Sequence, residues 1–130
     1  EAKEAGLKEE GECYLEPGDN LLFPTGLCFG IPHGYELHVC NKGGIAGKKG
    51  LLVGAEIIDS GYDGEVLIDL HNVGLKRQYI KPGDKIAQLV MRPVIHCFPQ
   101  EVNIKEQLYG TNQITMSDRK DGKLGSTGTK

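Results

Sequence analysis

No stretch of this 130-residue chain repeats an apolar residue every three or four positions for long enough to make a buried helix face. Turn signals arrive too often. Glu16-Pro17-Gly18-Asp19, Ile31-Pro32-His33-Gly34, Asp63-Gly64 and Lys81-Pro82-Gly83-Asp84 each set glycine among residues that favour a tight reversal. Between these turns the apolar residues alternate. Tyr35, Leu37 and Val39 face one way and Glu36 and His38 the other, and Val66, Ile68 and Leu70 alternate within Glu65 to His71. A period of two belongs to a strand, whose successive side chains point to opposite faces. Shorter apolar runs at residues 21–23, 26–29, 51–53 and 86–90 read as further strands. Pro93 is expected at an edge or an end of pairing, because it has no N–H for a ladder. Residues 41–50 read as a polar loop, and only residues 101–109 read as a helical turn. Glycine fills 19 of 130 positions with no repeat period, which calls for many turns and many short strands. The fold class is therefore all-β, a sandwich or barrel.

The length allows one domain with one core. We place it at residues 1–116 and read residues 117–130, rich in Gly, Lys, Ser and Thr, as a mobile tail. A formal net charge of -3 exerts no broad pull on nucleic acid or an anionic membrane, so neither is an expected partner. No run approaches the roughly 18 apolar residues of a membrane span, and no signal-peptide pattern opens the chain. Cys13, Cys28, Cys40 and Cys97 form no C-x-x-C pair and suit no structural zinc site, so they read as buried reduced thiols. His33, His38, His71 and His96 are equally dispersed.

Three segments offer chemistry, each with a plain structural alternative. Asp59, in Ile57-Ile58-Asp59-Ser60-Gly61-Tyr62-Asp63-Gly64-Glu65, is either a turn cap beside Ser60 and Gly61 or a base that activates water in a neighbourhood the isoleucines partly desolvate. Tyr62 is either a packing residue or a platform for a ligand. Lys42-Gly43-Gly44 is either a turn or a loop whose bare backbone approaches phosphate beside a lysine, and it is too short for a Walker A loop. Gly122-Lys123-Leu124-Gly125-Ser126-Thr127-Gly128, with Arg119 before it, is either disordered or a segment that orders over an anionic ligand.

Together, these segments resemble the trimeric dUTP diphosphatase (dUTPase) family, in the family's own order. Ile57 to Glu65 is similar to its third motif, G-[VT]-I-D-x-[DG]-Y-x-G-E. Gly83-Asp84-Lys85-Ile86-Ala87-Gln88-Leu89 is similar to its fourth, and Arg119 with Leu124-Gly125-Ser126-Thr127-Gly128 to its fifth. Cys40-Asn41-Lys42-Gly43-Gly44-Ile45-Ala46 sits where the second belongs. The resemblance implies a distorted β-barrel or jelly roll that assembles as a homotrimer, with sites shared between subunits and a C-terminal tail closing over them. It implies Mg²⁺-dependent hydrolysis of dUTP to dUMP and pyrophosphate. In that reading Asp59 activates the water and Arg119 stabilises the transferred charge. Tyr62 packs on deoxyribose. The turn at Val53, Gly54 and Ala55, with Ile58, reads uracil. Lys42, Gly43, Gly44 and Gln88 contact phosphate, and Leu124, Gly125, Ser126 and Thr127 cover the nucleotide. No metal-ligating side chain is expected, because the ion would ride on phosphates and waters. A cytoplasmic location is implied, in the host cytoplasm if the chain is phage-encoded, as the tail's ending suggests.

The sequence also departs from the family pattern. The first motif, A-G-x-D-L, is absent, so it lies upstream of Glu1 or has been lost. Lys42-Gly43-Gly44 replaces Arg-Ser-Ser or Arg-Ser-Gly, which keeps charge but drops a hydroxyl and the bidentate fork. Leu124 replaces phenylalanine, Lys120 and Lys123 replace glycines, and Glu56 stands at a small-residue position beside the uracil hairpin. These changes leave two competing readings: a nucleotide- or partner-binding trimer of the same fold with weak catalysis, and a dCTP deaminase relative. The deaminase would need a glutamate in Val66-Leu67-Ile68-Asp69-Leu70, which has none.

Overall fold

The alternating segments become strands, and the computed structural model, which describes residues 12–108, shows how they pair. In chain order they are β1 (Cys13–Leu15), β2 (Asn20–Pro24), β3 (Tyr35–Cys40), β4 (Leu51–Val53), β5 (Ile57–Ile58), β6 (Leu67–Asn72), β7 (Gln78–Ile80) and β8 (Gln88–Pro93). They form three antiparallel groupings: β1 with β7, β2–β6–β4, and β5–β3–β8. The chain divides into two compact units, residues 1–96 and residues 97–130. All eight strands belong to the first, and the described part of the second holds a 3₁₀ turn at Lys105–Gln107.

Register explains the core. In β6 the buried residues are Ile68, Leu70 and Asn72, every second position. Phe23 lies opposite Ile68, and Val53 lies opposite Leu70 from the other side. Leu15, Val39, Leu51, Val66 and Ile80 complete the cluster. Each such side chain contributes about 1.5–3 kcal/mol by leaving water. A one-residue slip of β6 would turn Ile68, Leu70 and Asn72 outward. The one buried polar side chain among the described residues is Asn72. Its amide donates to the carbonyls of Leu15 and Lys76, both at 2.9 Å, and its oxygen accepts from the Gly74 N–H at 3.0 Å.

The turns at Pro17-Gly18, His33-Gly34 and Pro82-Gly83 stand where the sequence places them, each with glycine at positive φ. Pro93 ends β8, opposite Tyr35. Several expectations need correction. Residues 26–29 are not a strand. The chain leaves the β2 ladder after Pro24, and Gly26 sits at φ 70. There the Thr25 hydroxyl donates to the Val66 carbonyl at 2.7 Å, and the Gly26 N–H donates to Glu65 Oε1 at 2.6 Å. Residues 41–50 are not all loop, because Ile45–Lys49 forms a π-helical turn closed by Gly50 in the left-handed region. The turn in the Asp59 motif is centred on Ser60 and Gly61 rather than on Asp63-Gly64. The helical turn near the end shrinks to Lys105–Gln107. Of the four cysteines, all free, only Cys13 is buried, and Cys28 and Cys97 are exposed. Neither exposed cysteine lies in a strand whose alternation would turn it inward.

Candidate functional site

Strand β5 is only two residues long, and it delivers Asp59 to the surface. Its pairing with Leu37 and His38 of β3 fixes the direction of the chain. Alternation then puts Ile57 and Asp59 on the outward side and turns Ile58 toward the core. The expected desolvation of Asp59 by the two isoleucines is therefore not seen: Ile57 is 57% exposed, and Asp59 is exposed beside it. The Asp59 carboxylate has no hydrogen-bond or ion-pair partner among the described residues.

The rest of the motif holds Tyr62 in place. Gly61 at φ 84 lets the chain reverse, and the Tyr62 N–H returns to the Asp59 carbonyl at 3.2 Å. The ring then lies against Gly64, where a Cβ would stand 2.7 Å from the Tyr62 hydroxyl oxygen. That hydroxyl donates to the Glu65 carbonyl at 2.9 Å. Glu65 in turn ties the hairpin to Gly26. Tyr62, Gly64 and Glu65 thus form a mechanical unit that keeps a half-exposed aromatic face beside the carboxylate.

A cavity of about 280 Å³ opens there. Ala55, Ile58, Asp59 and Tyr62, all expected at the site, line it together. So do Ile57, expected from the sequence only as a desolvating neighbour, and Leu22, Val39, Glu65, Val66 and Leu67, for which no role at the site was expected. Glu65 carried a signal, as a member of the motif. Leu22 and Val39 arrive from other strands and carried none.

Val53 and Gly54 do not line the cavity, and their backbone donors are already engaged. The Val53 N–H donates to Asn41 Oδ1 at 2.8 Å, and the Gly54 N–H to the Asp69 carbonyl at 2.9 Å. Ala55 is the member of that turn that faces the space. Glu56 points elsewhere, with Oε2 3.3 Å from His38 Nε2.

The phosphate-contacting candidates gather at a second place. Gln88 opens β8 opposite Cys40, and its amide donates to the Asn41 carbonyl at 2.9 Å, just before Lys42, Gly43 and Gly44. Both glycines are exposed, and neither they, Lys42 nor Gln88 line the cavity. Arg119, Leu124, Gly125, Ser126 and Thr127 lie outside the described residues. Among those described, no three His, Cys, Asp or Glu side chains converge as a cation cage. A lone, exposed carboxylate with a lysine and backbone donors elsewhere is a donor set that fits Mg²⁺ carried on phosphates and waters.

The dUTPase family model matches residues 3–128. The chain belongs to the dUTPase family. Among its curated relatives, the deoxyuridine 5'-triphosphate nucleotidohydrolase of Desulfotalea psychrophila is 46% identical over 88 residues, covering 66% of this chain and 59% of that protein. The chain thus spans under two thirds of that relative's length. The nucleotidohydrolase of Anaplasma marginale is 34% identical, covering 98% of this chain and 84% of that protein. Among solved structures, the dUTPase of Staphylococcus bacteriophage 80alpha with dUpNHpp superposes with a TM-score of 0.74 at 23% identity, over 91% of this chain and 81% of that one. A variant dUTPase of phage phi11, whose structure describes the coordination of a structural Mg(II) ion, gives 0.66 at 24% identity, over 73% and 79%. At these identities the structural likeness speaks for the jelly-roll fold alone.

Proposed function

We propose that this member of the dUTPase family hydrolyses dUTP to dUMP and pyrophosphate at the cavity beside Asp59. One observation carries the reading: an unpaired carboxylate and a pinned tyrosine ring share one cavity, on the segment that resembles the family's third motif. Asp59 orients a water toward the α-phosphorus and takes its proton as the oxygen attacks. Its exposure in the single chain leaves that water free to enter. Tyr62 presents its ring to the deoxyribose, where a 2′-hydroxyl would crowd it. The cavity, small for a whole nucleotide, suits a base and sugar with the triphosphate running outward. Base reading falls to Ala55, since the Val53, Gly54 and Val66 backbone donors are spent within the fold.

Lys42, Gly43, Gly44 and Gln88 bind phosphate in this reading, and they do so on a neighbouring copy. Two features support a homotrimer with shared sites. The phosphate group of residues and the Asp59 cavity have no lining in common. The cavity also has an apolar rim, with Leu22, Ile57 and Leu67 at 54%, 57% and 43% exposed, of the kind a partner covers. The tail residues Arg119, Leu124, Gly125, Ser126 and Thr127 complete the enclosure, and Arg119 neutralises charge as pyrophosphate leaves. Mg²⁺ would neutralise the phosphate oxygens when bound with the substrate. The division into a barrel of residues 1–116 and a closing tail of residues 117–130 belongs to the same proposal, as does a cytoplasmic site of action on the nucleotide pool.

The test is Asp59→Asn with dUTP, dCTP, dTTP and UTP as substrates. We expect the parent to release pyrophosphate from dUTP in preference to the others, and the variant to bind dUTP but lose turnover by about 10³-fold or more. Retained turnover in Asp59→Asn would show that another group is the base.

A further inference from the structure

The outward face of β3 carries a constellation that dUTP hydrolysis does not use. His38 and Cys40 are two residues apart and so project on the same side. Cys40 Sγ lies 3.4 Å from His38 Nδ1, and the other ring nitrogen, Nε2, lies 3.3 Å from Glu56 Oε2. The thiol's second acceptor, the His38 carbonyl, is farther off at 3.7 Å. A sulfur, an imidazole and a carboxylate in series are the parts of an activated nucleophile, in which a base takes the thiol proton and a third group orients the base. The opposite strand supplies Gln88 against Cys40, Val90 against His38, and Arg92 against Glu36. Arg92 is held 2.8 Å from Glu36 Oε1 and so belongs to a separate pair.

We propose that Cys40, His38 and Glu56 form a reactive-thiol site that accepts small aliphatic disulfides as mixed disulfides on Cys40. His38 takes the Cys40 proton while the sulfur attacks one sulfur of the incoming disulfide. That disulfide's S–S bond breaks as the new one forms, and the departing thiolate takes the proton back from His38. One thiol and one disulfide become another thiol and another disulfide, with no outside oxidant. Cys40 is partly exposed, so a reagent reaches it. The other cysteines lack this arrangement. Burial pushes the Cys13 thiol up, away from its reactive form, and Cys28 and Cys97 have no hydrogen-bonded base among the described residues.

The site also has a route to the nucleotide. Directly paired residues of an antiparallel ladder stand about 5 Å apart at Cβ, so an adduct on Cys40 lies against the Gln88 side chain. Gln88 holds the Asn41 carbonyl at the mouth of the Lys42 loop. Displacing it releases that loop. This consequence rests on the proposed role of Gln88 in phosphate binding.

The experiment treats the full chain with oxidised glutathione and follows each cysteine by peptide mass spectrometry. Cys40 is expected to load about tenfold faster than Cys28 and Cys97 although both are more exposed. His38→Gln should bring the Cys40 rate down to theirs, and Glu56→Gln, at an exposed position, should lower it several-fold without disturbing the fold. A Cys40 rate no faster than that of Cys28, or one undiminished in both variants, overturns the site. Pyrophosphate release from dUTP should fall as Cys40 loads and return with dithiothreitol, while Cys40→Ser keeps its activity through the same treatment. Full activity at complete Cys40 loading overturns the link to Gln88. Absence of dUTP hydrolysis in the untreated chain bears on the proposed function, and the loading rates decide the thiol site without it.

Discussion

Gly54→Ala probes the turn that leads into the cavity with a single methyl. A Cβ at Gly54 would fall far inside van der Waals contact with Asp69 Oδ2 and His71 Nε2, and 2.8 Å from His71 Cδ2. To restore normal contact these groups must retreat by roughly 1 Å. They are not free to do so without loss. Asp69 and His71 are 2.9 Å apart, and Asp69 also accepts from Asn20 at 3.2 Å. The Asp69 carbonyl holds the Gly54 N–H itself. Both side chains are partly exposed and can swing outward, so the cost is chiefly that of the hydrogen bonds given up, about 1 kcal/mol each. Urea unfolding should therefore show Gly54→Ala less stable by about 1–2 kcal/mol. If the turn yields instead of the side chains, Ala55 moves, and a 1 Å displacement can cost about 100-fold in kcat/KM for dUTP. In an Asp69→Ala/His71→Ala background the obstruction is gone, so adding Gly54→Ala there should cost much less than it does in the parent, a coupling that additive effects would not give. Unchanged stability and kcat/KM in the single variant, or an equal cost of Gly54→Ala in both backgrounds, would show that Asp69 and His71 do not bar a side chain at Gly54.

Two further outcomes follow from the structure. Asn72→Leu leaves the Leu15 carbonyl without this partner in the core, and the part-buried Lys76 carbonyl and Gly74 N–H without theirs, and it should lower the urea-derived stability by about 2 kcal/mol or more. Chelation with EDTA should abolish pyrophosphate release while leaving the unfolding curve in place, because no cage of side chains among the described residues makes folding depend on a metal.

What could be read from the sequence was whatever local chemistry decides. Tyr35–Cys40 and Leu67–Asn72 announced themselves by alternation, and the glycine turns at residues 18, 34 and 83 by their neighbours. Residues 26–29 look like a strand by composition, but their backbone bonds go to Glu65 and Val66 across a positive-φ glycine, which no local pattern shows. The pairing of β6 between β2 and β4 is likewise a tertiary fact. At the site, Asp59 and Tyr62 were legible through motif order, and the structure sets them side by side on one cavity. The exposure of Asp59 was not legible, because two preceding isoleucines suggest burial while strand alternation puts one of them outside. Leu22, Val39 and Leu67 carry no signature at all, since a cavity wall asks only for apolar surface. The Cys40–His38–Glu56 series escaped for a similar reason: Glu56 reaches His38 from a separate segment.

Asn72 has one more consequence. Its amide joins β6 to Leu15, 57 positions earlier in the chain, and in the same reach to Lys76, four positions later. The bond to Leu15 closes only when β6 is in its proper phase and β1 has docked. A chain that collapses with β6 displaced by one residue turns this amide to solvent and leaves the Leu15 carbonyl bare. Apolar neighbours tolerate many near-miss arrangements at similar energy, whereas an amide with fixed donors does not. Asn72 thus acts as an inspector of assembly as well as a tie, helping to decide which of the rival packings is allowed to persist.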